Sequence, residues 1–321
     1  MPPMSDVPLR ALSTPRHACH ACGNCCYGHR ITLQGPDEVT RIAAFGVHFG
    51  IAEPIDDGAL ATVDGHCVFL GEDRLCNIHR AFGGEAKPGV CQQYPVRFSR
   101  AEDGLRVGVD PGCTSVWRSW RDGPAIDLTQ TAATHDIRGA VDPSERALLA
   151  MAQDPRMTVA RLLTIIAGGE PTLATAGEPL PPGLATRLAT RLKAMNLRRF
   201  VDSDAVGAGL RAPLDGVTRL VETLDPALPP AWLGRLAPES DAFALEIVRR
   251  HLYMRLGPAD LAPVGQVLLL LSGAVAAAWA DPSPRAFGEA TSTWARACRY
   301  PAFRFAFLPS DAAVAWLATG R

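Results

Sequence analysis

The chain lacks any long, uninterrupted apolar run. Its longest candidate, VGQVLLLLSGAVAAAWA (residues 264–280), is broken by Gln266 and Ser272 and has no basic flank. At 17 residues it sits at the short limit for a membrane span and reads as a buried core helix. The opening MPPMSDVPLRALSTPRHA holds no continuous apolar stretch, so no secretory leader is expected there and the expected location is cytoplasmic. Charge of one sign is missing as well. A formal net charge of -1 gives no global field to draw the chain to nucleic acid or a lipid surface. Its basic stretch, Arg187, Arg191, Lys193, Arg198 and Arg199, carries no interleaved aromatics of the kind that stack on bases. It reads as a solvated helix face. Two enzyme signatures are absent: a Gly-rich strand-to-helix motif for a Rossmann-like site, and the CxxxCxxC spacing of radical-type donor enzymes.

Cysteine is absent from residues 114–297, and that gap throws the other cysteines into relief. Eight of the nine lie between Cys19 and Cys113, and six of the eight histidines precede residue 80. Without an export signal, a disulfide framework is disfavoured and metal binding leads. HACHACGNCCYGHR (residues 17–30) contains Cys19-x2-Cys22-x2-Cys25, a loop spacing that lets three thiolates converge, as in the opening of a bacterial ferredoxin run. Neighbouring Cys25 and Cys26 are expected to point apart, which favours a polynuclear cluster or two adjacent sites over one tetrahedral ion. Cys67, Cys76, Cys91 and Cys113 complete the candidate ligands. All-sulfur ligation suits zinc or an iron–sulfur cluster, and the spacing with surplus thiols favours iron–sulfur. Cys298 reads as a small core residue.

The patterning predicts an α+β chain. A small cysteine-rich module with short hairpins (17–122) follows a flexible N-terminus (1–16). A linker (123–141) then leads to an all-helical domain (142–321). Gly35-Pro36-Asp37-Glu38 predicts a helix start, with Val39, Ile42 and Ala43 as its apolar face up to Gly46. CVFLGEDRLCNI (67–78) predicts a hairpin with a four-residue turn, placing Leu70 opposite Leu75 and Phe69 opposite Cys76. VRFSRAEDGLRVGV (96–109) predicts a second hairpin. Asp142-Pro143-Ser144-Glu145 reads as a capping box, and Asp154-Pro155 as the start of a helix ending at Gly168-Gly169. Further helices are expected near 240–256, 263–280 and 284–299.

The order CxxCxxCC, then CVFLGEDRLCNIH, GVCQQYP and PGC, resembles the cysteine-cluster family of zinc- or iron-chelating domains over about residues 19–113. ALLAMAQDPRMTVARLLTIIAGG, FALEIVRRHLYMRLG and STWARACRYPAFRFAFL are similar to segments of one branch, the flagellin lysine-N-methylases. That resemblance implies a [4Fe–4S]-type cluster and S-adenosylmethionine as cofactors. It also implies a methyltransferase acting on protein lysine side chains, with flagellin or another filament protein as partner. The alternative is a non-enzymatic zinc- or iron-binding module for metal handling or protein interaction. Two departures stand out. The family's Cys…Tyr/Phe-Pro-Arg motif is here Cys91-Gln92-Gln93-Tyr94-Pro95-Val96-Arg97, with the arginine one place late. Arg299-Tyr300 stands where an acidic residue and a histidine are expected. Tyr94, Arg97 and Tyr253 are the candidate polar residues for lining a cofactor pocket.

Overall fold

A computed structural model describes residues 9–128, 142–169, 180–181, 183–202, 207–227, 236–258 and 260–321. The expected linker lies mostly outside these residues. Residues 9–16, expected as part of a flexible N-terminus, are instead tied down. Strand β1 (Leu9–Ala11) pairs parallel with β7 (Gly104–Val109), Leu9 against Leu105. β7 pairs antiparallel with β6 (Val96–Ala101), so the sheet order is β1-β7-β6. The predicted second hairpin is therefore present, with Ala101 opposite Gly104 across the turn. β1 covers the edge of β7 that the hairpin leaves unpaired. Arg16 bridges Ala125, and Ile126 N donates to Pro15 O at 2.9 Å.

Short elements make the rest of the front segment. Helix α1 (Gly35–Phe49) starts where the Pro36-Asp37-Glu38 signal places it, but it runs past Gly46 and ends at Gly50, whose φ of 69° suits glycine. Its inward face is not Val39/Ala43, which are exposed, but Glu38, Ile42 and Gly46. The Glu38 carboxylate earns its burial by accepting from Gln34 N at 2.5 Å and Gly89 N at 2.7 Å. Ile42 packs with Leu33, Leu60, Cys67, Phe69 and Ile78 in a small core. Two two-stranded ribbons follow: β2 (Ile55–Asp56) with β3 (Ala59–Leu60), and β4 (Thr62–Val63) with β5 (His66–Cys67).

The expected hairpin at 67–78 is not formed. Leu70 bridges Cys76 rather than facing Leu75, and Gly71 N donates to Leu75 O, closing a tight loop. The chain then turns at once into α2 (Asn77–Phe82), so no second strand exists to extend the ladder. α3 (Gly89–Gln93) and α4 (Val116–Ser119) follow.

Helices dominate from residue 142 onward. They are α5 (Pro143–Gln153), α6 (Val159–Ile166), α7 (Leu184–Ala194), α8 (Leu197–Val201) and α9 (Gly207–Thr223), then α10 (Pro238–Tyr253), α11 (Pro263–Ala280), α12 (Pro284–Ala297), α13 (Pro301–Phe307) and α14 (Asp311–Thr319). Asp142 caps α5 by accepting from Ser144 N at 2.7 Å. Glu145 does not close the box by reaching back; it is buried in ion pairs with Arg106 and Arg255, both at 3.3 Å. Thr158, not Asp154, caps α6, accepting from Arg161 N at 3.1 Å, while Asp154 closes a turn onto Arg156.

α11 is long and apolar enough to cross a membrane by length and composition, yet 78% of it is buried inside the protein. It packs on α12 through Gly273, where an added Cβ would lie 2.2 Å from the Trp294 ring. The Trp294 indole donates to Leu269 O at 2.8 Å. The helical core does not stop at residue 142: Val109, Cys113, Val116 and Trp117 belong to it. Cys298 is buried in that core, 1% exposed.

The basic stretch is not a free solvated face. Arg187 donates to Leu317 O and Ala318 O, and Arg191 to Phe307 O at 2.9 and 2.6 Å. These guanidinium groups satisfy the last carbonyls of α14 and α13, where a cation is favoured. Arg198 pairs with Glu222 at 2.7 Å.

Candidate metal centre

The cysteine-rich loop is shaped by left-handed residues at Ala21, Gly23 and Gly28. Gly23 is demanded twice, by its φ of 71° and because a Cβ there would meet Arg74 O at 2.6 Å. Asn24–Cys26 then form one 3-10 turn, closed by Cys26 N donating to Gly23 O at 2.9 Å. On this turn Cys25 is exposed while Cys26 packs against the small core. Consecutive side chains on a 3-10 turn diverge by only about 120°, against the opposite faces of a strand. The two thiols are close enough to shift one another's acidity.

That closeness splits their acidity. The Cys26 thiol beside it brings the Cys25 thiol down to about 6, with help from Lys87 and Arg296. Cys26 moves the other way, held up by the neighbouring Cys25 thiol, by burial and by Cys67 and Cys76. Burial pushes Cys67 up to about 11 and Cys113 up to about 12, and raises Cys91 too. Cys91 lies within the electrostatic reach of Cys67, Cys25 and Cys76. Cys26, Cys67, Cys76 and Cys91 pack in or against the small core beside this turn, and Cys25 lies on the turn itself. Cys22 and Cys113 lie together on its other flank, against the helical half. Cys19 is exposed, and its sulfur accepts from Ala21 N at 3.4 Å.

All nine cysteines are free thiols. Among the described residues, no three Cys, His, Asp or Glu side chains are gathered tightly enough to hold a metal ion as they stand. The donor chemistry, free thiols, fits a soft metal.

Residues that sequence reasoning overlooked hold this loop. Asn24 is buried, donates to Thr114 Oγ1 at 3.0 Å and accepts from Arg74 at 2.5 Å. Cys22 Sγ lies 3.3 Å from Thr114 Oγ1 and 3.9 Å from Ser115 Oγ. The helical half grips from behind through the end of α12. Arg296 donates to Asn24 O at 2.6 Å, and the Tyr300 hydroxyl donates to Gly28 O. Arg299 pairs with the buried Asp110, Nη1 to Oδ2 at 2.7 Å and Nη2 to Oδ1 at 2.5 Å. This accounts for Arg299-Tyr300: the pair closes the seam between the two halves.

The weak pocket candidates separate. Tyr94 lies beside the His29 ring, centroids 5.6 Å apart, and burial raises its pKa well above the usual value. Arg97 stands 3.5 Å from Asp110 and shares its charge with Arg299. Tyr253 is remote from both; it stacks under Arg106 at 5.0 Å and lines a small cleft with Ser13, Pro15 and Arg250. His29 and His17 are both held neutral by burial, at about 3 and about 4. His29 Nε2 is buried with no hydrogen-bond partner.

Residues 18–112, under a third of the chain, match the family described as "CxxCxxCC: Putative zinc- or iron-chelating domain". No curated protein and no solved structure matches the chain.

Proposed function

We propose that this chain is a metal-binding protein in which Cys25, Cys26, Cys67, Cys76 and Cys91 furnish the main ligand set. Cys19, Cys22 and Cys113 are the reserve on the seam side, and an iron–sulfur cluster is preferred to zinc. The observation that carries this reading is the packing of Cys26, Cys67, Cys76 and Cys91 in one small core beside the turn that bears Cys25, inside a segment that matches a metal-chelating family. Five thiols exceed what one tetrahedral zinc needs. A thiolate-bound cluster supplies low-potential electron-transfer or substrate-coordinating chemistry when present. The chain's own residues fix the loop: Asn24, Thr114 and Arg74 lock the turn, and Arg296 and Tyr300 hold it against the helices.

The finer reading is S-adenosylmethionine-dependent methylation of lysine side chains on a protein such as flagellin. It is supported by the likeness of residues 147–169, 243–257 and 292–308 to segments of the flagellin lysine-N-methylases. Tyr94, Arg97 and His29 are the polar groups nearest the seam that could position a donor. A structural metal module is the second reading. It is favoured by the way the helical half grips the loop by backbone carbonyls rather than leaving it open.

Anaerobic purification of the full chain tests both. Brown protein carrying iron and sulfide is the expected result; colourless protein with stoichiometric zinc overturns the cluster, and metal-free protein overturns chelation. Calorimetry with S-adenosylmethionine on loaded protein separates the two readings, since no binding leaves the metal module alone.

A further inference from the structure

Four arginines are buried in the described protein: Arg106, Arg250, Arg296 and Arg304. Three have a carboxylate partner. Arg106 pairs with Glu145 at 3.3 Å, Arg250 with Glu246 at 2.7 Å, and Arg304 with Asp260 at 2.9 Å. Arg296, the most deeply buried at 2% exposure, has none among the described residues. Its Nη1 and Nη2 donate to two neutral carbonyls, Asn24 O at 2.6 Å and Gly209 O at 2.9 Å. Backbone carbonyls satisfy its hydrogen bonds but not its charge. An arginine cannot shed that charge by losing a proton, and an unpaired buried cation is strongly disfavoured.

The buried acid of the seam does not help. Asp110 is held by both terminal nitrogens of Arg299 and shared with Arg97. His29, Tyr94 and Tyr300, which all feel the Arg296 charge, are neutral. What remains in front of the guanidinium is the Asn24–Cys26 turn, with the Cys25 thiol in its electrostatic reach. Lys87 and Arg74 add two further cations around the same turn, Arg74 through its bond to Asn24.

We propose that Arg296 is the buried counter-charge of a metal centre that carries net negative charge, and so is ligated by at least three thiolates. This rests on the chelation reading above and sharpens it. A zinc ion held by two thiolates and two neutral histidines is electrically neutral and gives Arg296 nothing to pair with. A zinc ion with four thiolates, or an oxidised four-iron cluster with four thiolates, carries two negative charges. The position of Arg296 on α12 adds a consequence: loading the centre supplies the missing anion at the seam. Metal binding and docking of the helical half therefore reinforce each other.

Two substitutions in the full chain separate charge from packing. Arg296→Lys keeps the charge and gives up the fork; Arg296→Gln keeps a donor and removes the charge. Each protein is loaded with zinc alone under anaerobic reducing conditions and titrated against a chromophoric chelator. Thermal melts of the apo and loaded forms accompany the titration. Arg296→Gln is expected to weaken zinc binding by at least about tenfold, as loss of a nearby unit charge does in a partly desolvated site. It should also shrink the rise in melting temperature that zinc produces. Arg296→Lys should stay within about threefold of wild type. Equal zinc affinity in wild type and Arg296→Gln overturns the counter-charge. So does an equal loss in both variants with the zinc-induced shift unchanged, because that pattern belongs to a purely structural hydrogen bond. Wild-type protein that takes up neither zinc nor, on reconstitution with iron and sulfide, a cluster is a different result, and it removes the chelation reading itself.

Discussion

Replacing Asp110 by Asn cuts the seam at its most costly point. Asp110 is 1% exposed, and its two oxygens accept from Arg299, from Gly112 N at 2.8 Å, and electrostatically from Arg97 at 3.5 Å. Burial alone would raise its pKa, but the Arg299 charge beside it overrides that and holds the carboxyl well below the usual range. Asn keeps the shape and the Gly112 bond while leaving Arg299 charged and unpaired inside the protein. Breaking a buried pair from one side costs about 3–5 kcal/mol. Asp110→Asn with Arg299→Met removes both charges and should return to within about 1–2 kcal/mol of wild type, since a buried pair is worth little against a packed apolar replacement. Urea unfolding, followed by circular dichroism and tryptophan emission, measures the difference; urea, unlike guanidinium, adds no ionic screening. A depressed carboxylate contributes its stability above its unfolded pKa and loses it as pH falls toward the folded value. The gap between wild type and Asp110→Asn should therefore be constant above about pH 4 and close below it. A single substitution costing under about 1 kcal/mol, or a double variant costing the sum of both singles, refutes the buried pair as the seam's main electrostatic tie.

Asp241 should behave with the opposite sign. Burial raises its carboxyl to about 6 despite the bond from Val159 N, so the folded state binds the extra proton between about pH 4 and 6 and stability falls across that window. Asp241→Asn should be more stable than wild type at pH 7 by at most about 2–3 kcal/mol and equal to it at pH 4, checked by urea midpoints at both. Gly288→Ala puts a methyl group 2.1 Å from the Trp117 ring. It should cost about 1–3 kcal/mol through overpacking, although Ala is the better helix former; a neutral urea midpoint would show that the α12–Trp117 approach is slack. Cys67→Ser should sharply reduce bound metal while Cys298→Ser, remote in the helical core, should not; metal analysis of both decides which thiols belong to the centre.

The features legible in the sequence were local ones. Pro36 with Asp37 and Glu38, Asp142-Pro143, and the Asp103-Gly104 turn announce element starts and reversals through φ restriction and capping, and each stands where the sequence places it. The cysteine-rich character of the front segment was legible too, because eight thiols in one region have few other uses. The 67–78 hairpin failed because alternation of apolar residues does not say whether a second strand has a ladder to join. Here Asn77 N is taken by Phe69 O and the chain goes directly into α2. Asp154-Pro155 misled because Thr158, four residues on, competes for the cap and is free to accept from Arg161 N.

The seam was illegible for a physical reason of another kind. Arg296, Arg299 and Tyr300 reach partners more than 180 residues away in the chain, and nothing periodic marks them. Arg296 even lies in a helix whose neighbours Ala295 and Ala297 are wholly buried, a place where sequence patterning expects an apolar side chain. A buried arginine is tolerated there because the Asn24 carbonyl of the tight turn and the Gly209 carbonyl of α9 accept its hydrogen bonds, beside thiols that can carry negative charge. The front segment, in turn, has no buried cation of its own next to those thiols: Arg74 is exposed and Lys87 half-buried. Each half is electrostatically incomplete beside the turn, and the contact between them supplies what is missing. The cysteine loop and the end of α12 are for that reason one site, although the sequence separates them by some two hundred and seventy residues.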